Sequence, residues 1–135
     1  KCVLHFPLEP QLHRLMSNPA TARYFKADTG LCRRSSDGWV RGLHDSNLWK
    51  EKVLDINFHR ADGNVVLMTS GDGAQVWKSK KKGKYSLFFL GSEVLNLPFD
   101  LMSRYRILHA VWPGPHALRK EVQTLLREVY VPEMV

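Results

Sequence analysis

The residue with the clearest chemical potential in this chain is Asp72, which stands between Gly71 and Gly73 after an apolar run. A carboxylate between two glycines is open to its surroundings, and carboxylate oxygens are ligands that Mg²⁺ prefers. A second interpretation is purely local, because Gly-Asp-Gly also forms turns without any catalytic purpose. The residues alone therefore offer Asp72 either as a metal ligand or as part of a turn.

Basic residues follow this carboxylate closely. Five lysines lie within seven residues: Lys78, Lys80, Lys81, Lys82 and Lys84. A basic loop beside a metal-binding carboxylate could hold a DNA backbone by releasing counterions. Lysines at the tip of a hairpin also protect a sheet edge from unwanted pairing. Arg33 and Arg34, in an earlier loop-like stretch, are further candidate DNA contacts, with plain surface residues as the alternative.

The overall charge favours a polyanionic partner. The 135 residues include 20 basic and 13 acidic ones, for a net charge of +7, which favours nucleic acid as the partner, with a merely basic domain as the alternative. Cys2 and Cys32 are too few for a disulfide framework or for a zinc site of their own. No apolar run approaches the roughly 18 residues of a membrane span, so we expect no membrane partner. Since the chain begins with Lys1 rather than Met, we expect it to be a piece of a longer protein.

Short helices are predicted in the first part of the chain. Apolar residues recur at helical spacing from Glu9 to Met16, and Asn18-Pro19 is typical of a helix start. A third helical stripe follows Asp45 or Ser46 as its cap, with Trp49 as a core residue. We therefore expect a helical region over residues 1–60.

The second part, residues 61–135, changes to β-structure. Apolar, β-branched runs over residues 64–71, 84–95 and 104–112 predict three strands, and an amphipathic stretch after Pro115 predicts a helix. The fold class is therefore α+β, with short N-terminal helices packed on a three-stranded antiparallel meander and a following helix. This order resembles the first half of an RNase H-like fold, in which the first strand carries a metal-binding aspartate.

The order of motifs along nearly the whole chain resembles the CACTA (En/Spm) group of transposases. The opening FPLEPQLHRLMSNPATARYF is similar to the family's FPLTPRLQRLF…TA…WH, although Gln11 replaces an Arg and the Trp-His is absent. The next stretch, DGWVRGLHDSNLWKE, matches at His44, Asp45, Trp49 and Lys50. The longest match is to NVRLGLxxDGxxPF…YSxWPVxLxxxNLPPxxR…PGP, and it includes Asn64, Val65, Leu67, Asp72, Gly73, Tyr85, Ser86, Asn96, Leu97, Pro98, Arg104, Leu108, Pro113, Gly114 and Pro115.

This resemblance implies that Asp72 is the first catalytic, metal-binding Asp of a DDE-type triad. The implied activity is DNA cleavage and strand transfer in the nucleus, with Mg²⁺ or Mn²⁺ as cofactor and DNA as partner. The resemblance supplies no other carboxylate of the triad, because the second Asp and the Glu would follow Val135. We therefore expect the isolated chain to be inactive, since a two-metal site needs several carboxylates.

A different class of function is an alternative to this one. The chain could be a non-enzymatic nucleic-acid-binding or protein-interaction domain derived from a transposase. Two departures from the family's pattern would permit this, Gln11 in place of Arg and Val76 in place of Pro. A sheet that ends early also leaves a strand edge unpaired, which predicts self-association as a further contact.

Overall fold

Four strands form one antiparallel sheet in the computed structural model, which describes residues 3–33, 37, 39, 42–79, 83–114 and 127–128. They are β1 (Leu4–His5), β2 (Leu67–Ser79), β3 (Gly83–Val94) and β4 (Ile107–Gly114), in the spatial order β1-β4-β3-β2. The α+β class and the three-stranded meander, here β2-β3-β4, are confirmed. The short β1 was not predicted and adds a fourth strand, because Leu4 pairs with Val111 of β4. Most of the helix expected after Pro115 lies outside the described residues.

The register of the meander determines which side chains share a face. Phe88 of β3 lies opposite Trp112 of β4, and Leu90 lies opposite Ala110, before a bulge that follows Leu90. The rings of Phe88 and Trp112 stack with centroids 6.0 Å apart. These side chains form the packed face of the sheet, since alternate residues of a strand point to opposite faces.

The helices are short, and the predicted cap at Ser46 is confirmed. The first helix, α1 (Leu8–Ser17), spans the predicted 9–16. After it, Asn18 Oδ1 accepts a hydrogen bond from Ala20 N (2.9 Å) in a turn, and the helix that follows is a 3₁₀ helix over Ala22–Phe25, three residues later than the start predicted at Asn18-Pro19. Ser46 Oγ accepts a hydrogen bond from Trp49 N (3.1 Å) and thereby caps α2 (Asn47–Trp49), which continues as a wider π-helical turn over Lys50–Leu54. A third helix that was not predicted, α3 (Phe99–Arg104), precedes β4.

The chain divides into two compact units, each of which is built from segments that are not continuous in the sequence. The first contains residues 1–12, 69–92 and 106–135, and the second contains residues 13–68 and 93–105. Trp112 is buried in the first unit and Trp49 in the second, as predicted for both. A domain boundary at residue 60 stays a prediction.

The core of the second unit contains a buried asparagine that connects distant backbone segments. Asn96 is 1% exposed, and its Oδ1 accepts a hydrogen bond from Val66 N (3.1 Å). Its Nδ2 donates to Asn64 O (2.8 Å). Because a buried backbone group without a partner is costly, this side chain stabilises the stretch that leads into β2.

Within the described ranges, none of the helices has the length and hydrophobicity that crossing a membrane requires.

Candidate functional site

Asp72 lies in the middle of an extended strand. The sequence predicted that it ends the first strand, over residues 64–71, or occupies a turn. That prediction of the strand's end was wrong, because β2 runs from Leu67 to Ser79 and continues seven residues past Asp72. The backbone of Gly71 and Gly73 is not left-handed, since Gly63 is the one glycine with positive φ in the described part of the chain. Turn geometry is therefore not the reason why glycine occupies these two positions.

That reason is the close approach of β3 side chains. A Cβ atom on Gly73 would lie 2.5 Å from Cε1 and 2.7 Å from Cδ1 of Phe88. A Cβ atom on Gly71 would lie 3.6 Å from Leu90 Cδ1, which is an ordinary contact. The ring of Phe88 thus covers the backbone at Gly73, where a larger residue would displace it. In a strand, glycine often marks such an approach.

These contacts also place Asp72 on the other face of the sheet. Thr69 faces Ser92, Gly71 faces Leu90 and Gly73 faces Phe88, so two steps forward on β2 match two steps back on β3. Side chains alternate along a strand, and Asp72 therefore points away from the packed face.

The carboxylate of Asp72 is exposed and accepts a local hydrogen bond. Its Oδ1 accepts from the adjacent Gly73 N (2.7 Å). By strand alternation it lies beside Phe89 on its face, and Phe89 pairs with Val111 of β4. Both of these apolar residues are half-buried. The arrangement leaves the carboxylate oxygens open to a cation without a large cost of desolvation.

Asp72 has the right ligand type for a metal centre, but it does not form one by itself. An exposed carboxylate suits Mg²⁺ or Mn²⁺, but one such ligand holds a hard cation weakly. In the described ranges, a search for three or more His, Cys, Asp or Glu side chains with ligand atoms close together finds one group, Asp28, Cys32 and His59. Asp72 is not a member of that group. A two-metal centre at Asp72 would therefore need further carboxylates.

The predicted DNA contacts in the lysine run are only partly within the described residues. Lys78 falls in β2 and Lys84 in β3, near the ends where the two strands are connected. Lys80, Lys81 and Lys82 lie outside the described residues, and so does Arg34. Contact of these residues with the DNA backbone stays a prediction.

Arg33 has a clear structural role. Its Nη2 donates to the backbone oxygens of Leu95 (3.1 Å), Asn96 (3.1 Å) and Leu97 (2.6 Å), and its Nε donates to Gly30 O (3.0 Å). Burial lowers the pKa of the guanidinium below its ordinary value. A DNA phosphate would have to compete with these four carbonyls. Contact between Arg33 and DNA therefore stays a prediction, while its place in the fold is defined by its carbonyl partners.

His44 supports the same backbone turn. Its Nε2 lies 2.9 Å from Leu95 O and donates to it, because a carbonyl can only accept. The imidazole packs on Trp49 with ring centroids 4.3 Å apart. Burial lowers the pKa of His44 below its usual value of 6.5, so the neutral ring is favoured. This is the local structural role that His44 was expected to have.

Next to these residues, the second unit has a surface cleft of about 740 Å³. Its lining combines the polar Arg33, His44, Asp45 and Glu93 with apolar side chains such as Phe99. No sequence motif predicted this cleft, because its walls come from segments far apart in the chain.

A polar chain with two buried members in the first unit was also missed. Ser92 Oγ lies 2.7 Å from His109 Nε2 and 2.7 Å from Thr69 Oγ1, and Ser92 and His109 are each 2% exposed. A Ser-His pair could suggest nucleophilic chemistry, but a buried hydroxyl cannot reach a substrate. The trio instead connects β2, β3 and β4 and agrees with the prediction of an interior His109.

Comparison of the chain with protein-family models, with curated proteins and with solved structures finds no match.

Proposed function

We propose that this chain is the N-terminal part of the catalytic region of a CACTA-type, DDE-family transposase, in which Asp72 is one of the metal-binding carboxylates. The observation that carries the proposal is the exposed Asp72 on the first strand of the β2-β3-β4 meander. The packed face of the sheet is the one opposite to Asp72. The sheet therefore holds the backbone of Asp72 in place, while the carboxylate stays outside the core. The fold proposed on this basis is the first half of an RNase H-like domain.

Within such a domain, Asp72 would hold a divalent cation against the scissile DNA phosphate. The metal supplies Lewis acidity and activates the attacking oxygen. The chain itself supplies a carboxylate on a rigid strand. The side chains of Phe88 and Leu90 pack against the backbone on either side of it, which restricts its movement.

The position of β2 supports the proposal that the chain is part of a larger domain. Among the described strands, β2 has a neighbour on one side only, because the order is β1-β4-β3-β2. Its other edge can accept a further strand, and a strand paired there would bring its side chains next to Asp72. The same edge could instead pair with a second copy of the chain, which is the route to self-association.

The isolated chain is expected to bind metal weakly and to leave DNA uncut. We would test the role of Asp72 by adding Mn²⁺ while recording NMR spectra, because the paramagnetic ion broadens signals near its site. Broadening centred on residues 71–73 is expected in the wild-type chain and absent from Asp72→Asn. In a longer form that includes the rest of the domain, the same broadening should occur at lower Mn²⁺ concentrations.

The control is Asp55→Asn, which neutralises another exposed carboxylate and should leave the broadening unchanged. Asp72→Asn should also change the free energy of unfolding by less than about 0.5 kcal/mol, because the side chain is exposed. No broadening near Asp72 in either form would refute its role as a metal ligand. Cleavage of DNA by the isolated chain, abolished in Asp72→Ala, would refute the expectation that the chain needs the other carboxylates.

The alternative is a nucleic-acid-binding domain without catalysis. It is favoured by the net charge of +7 together with the position of Asp72 outside the three-residue ligand group of the described residues. Under this alternative the chain binds DNA with the same affinity whether or not Asp72 is replaced, and no metal is needed.

A further inference from the structure

Three potential metal ligands meet where two turns of the second unit come together. Asp28 precedes the 3₁₀ turn Gly30–Cys32, and His59 lies in the 3₁₀ turn Phe58–Arg60. Asp28 has a left-handed backbone (φ 54°), and its N–H donates to His59 O (3.0 Å). This backbone bond holds the two turns together and directs the side chains of Asp28, Cys32 and His59 into one cluster.

The two distances from Asp28 Oδ1 to the other ligand atoms match those of a tetrahedral site. His59 Nε2 lies 3.4 Å from Asp28 Oδ1, and Cys32 Sγ lies 3.7 Å from the same oxygen. Zinc at its usual distances from oxygen, nitrogen and sulfur would separate N from O by about 3.4 Å and S from O by about 3.6 Å. All three ligand atoms lie within 4.8 Å of one another. A cation could therefore enter with only small side-chain movements.

His59 is already oriented as a ligand. Its Nδ1 lies 3.3 Å from Val53 O and must donate there, since a carbonyl only accepts. In the neutral ring this leaves the lone pair on Nε2, the atom that faces Asp28. Metal-binding histidines are typically held in this way by a partner on the other ring nitrogen. The side chain of His59 is 11% exposed, so its orientation is well defined by packing.

A second contact supports the geometry. Asp62 Oδ2 accepts a hydrogen bond from Lys26 Nζ (2.9 Å), and its Oδ1 accepts from Ala27 N (2.8 Å). These bonds connect the residues just before Asp28 to those just after His59. The site is therefore built on two segments that are joined independently of any metal.

We propose that Asp28, Cys32 and His59 bind Zn²⁺, with a fourth position open to water on the side of the exposed Asp28. One thiolate, one imidazole and one carboxylate favour Zn²⁺ or Co²⁺ over Mg²⁺. The ion would stabilise the second unit by holding the two turns together. This site is separate in its residues from the one proposed at Asp72.

The competing explanation is a metal-free trio. Burial, followed by the charge of Asp28, raises the pKa of the Cys32 thiol, which suits a neutral thiol that donates to the carboxylate. A bound Zn²⁺ reverses this preference, because it stabilises the thiolate. The two explanations therefore differ in whether the thiol is ionised when metal is present.

The experiment uses the full 135-residue chain under reducing conditions. Co²⁺ is added as a spectroscopic substitute, and Zn²⁺ affinity is measured by competition with the bound Co²⁺. We expect a thiolate-to-cobalt charge-transfer band, its loss on addition of Zn²⁺, and a midpoint of thermal unfolding that rises with Zn²⁺ but not with Mg²⁺. Cys32→Ser should abolish the band, and His59→Gln and Asp28→Asn should each weaken Zn²⁺ binding at least about tenfold.

Matched controls separate this site from other ligands. Cys2→Ser removes the other thiol, His13→Gln removes an exposed histidine, and Asp72→Asn removes the carboxylate proposed for DNA chemistry. All three should retain the cobalt band and the Zn²⁺ affinity. Absence of the band in the wild-type chain, or its loss in Cys2→Ser rather than in Cys32→Ser, would overturn the proposal.

Discussion

Replacement of the two glycines beside Asp72 tests the account of this stretch, because the two positions should respond in opposite directions. Neither needs a left-handed backbone, so alanine is compatible with the strand at both. Removing chain entropy from the unfolded state then stabilises the protein by about 0.4 to 1 kcal/mol. At Gly71 nothing opposes this gain, since the new Cβ would lie 3.6 Å from its nearest neighbours.

At Gly73 the new Cβ would lie 2.5 Å from the ring of Phe88, so the ring must move. Moving it disturbs the stack on Trp112 and the packing around Leu90. Overpacking of this kind costs about 1 to 3 kcal/mol. After the entropic gain is subtracted, Gly73→Ala should destabilise the chain by about 0 to 2.6 kcal/mol, with a central value of about 1.3 kcal/mol.

The assay is urea unfolding of Gly71→Ala, Gly73→Ala, Phe88→Ala and the double variant of Gly73 and Phe88. Removal of the ring should relieve the overlap, so the double-mutant cycle should show a coupling energy of about 1 to 3 kcal/mol. A matched cycle between Gly71 and Phe88 should show almost none. If Gly73→Ala is as stable as Gly71→Ala and is not coupled to Phe88, the close approach is not the reason for the glycine.

Two further outcomes are expected. Burial lowers the pKa of His44 in the folded chain, so the unfolded chain binds more protons at pH values near and somewhat below 6.5, and stability should rise as the pH increases through this range towards neutrality. The variant His44→Gln keeps a donor for Leu95 O, and its free energy of unfolding in urea should rise less with pH. An unchanged pH dependence would contradict a neutral, buried His44. Separately, replacement of Lys80, Lys81 and Lys82 by glutamine should reduce the slope of log affinity for duplex DNA against log salt by about 2.7 if all three contact phosphates. Replacing the exposed Lys50 and Lys52 by glutamine should leave this slope unchanged. Equal slopes in all variants would rule out the lysine run as the DNA contact.

The order of the elements could be predicted from local patterns. Helical spacing from Glu9 to Met16 predicts α1, and the β-branched runs predict the meander, because periodicity is set by residues that are neighbours in the chain. The cap at Ser46 was predictable for the same reason. Strand ends were less predictable. Gly-Asp-Gly has the composition of a turn, but pairing with β3 keeps β2 extended through it.

Arrangements that depend on long-range contacts could not be predicted. Cys32 and His59 are 27 positions apart and have no ligand spacing, and bonds between distant segments, such as Asp28 N to His59 O, bring them together. Arg33 belongs to a basic cluster in the sequence, but its guanidinium fits the carbonyls of residues 95–97, more than sixty positions away. In each case the chemistry of the side chain was visible, but its partner was not.

The sequence by itself determined the composition, the charge of +7, the α+β class and the position of an aspartate close to the end of the first predicted strand of a meander. The tertiary structure decided which way that aspartate points, why it is flanked by glycines, and which cysteine, histidine and aspartate share a site. The physical reason is that periodicity and capping act over a few residues, whereas register and ligand geometry depend on segments brought together by packing. A single Phe88 ring over Gly73 shows the difference, because only the register of β3 on β2 places it there.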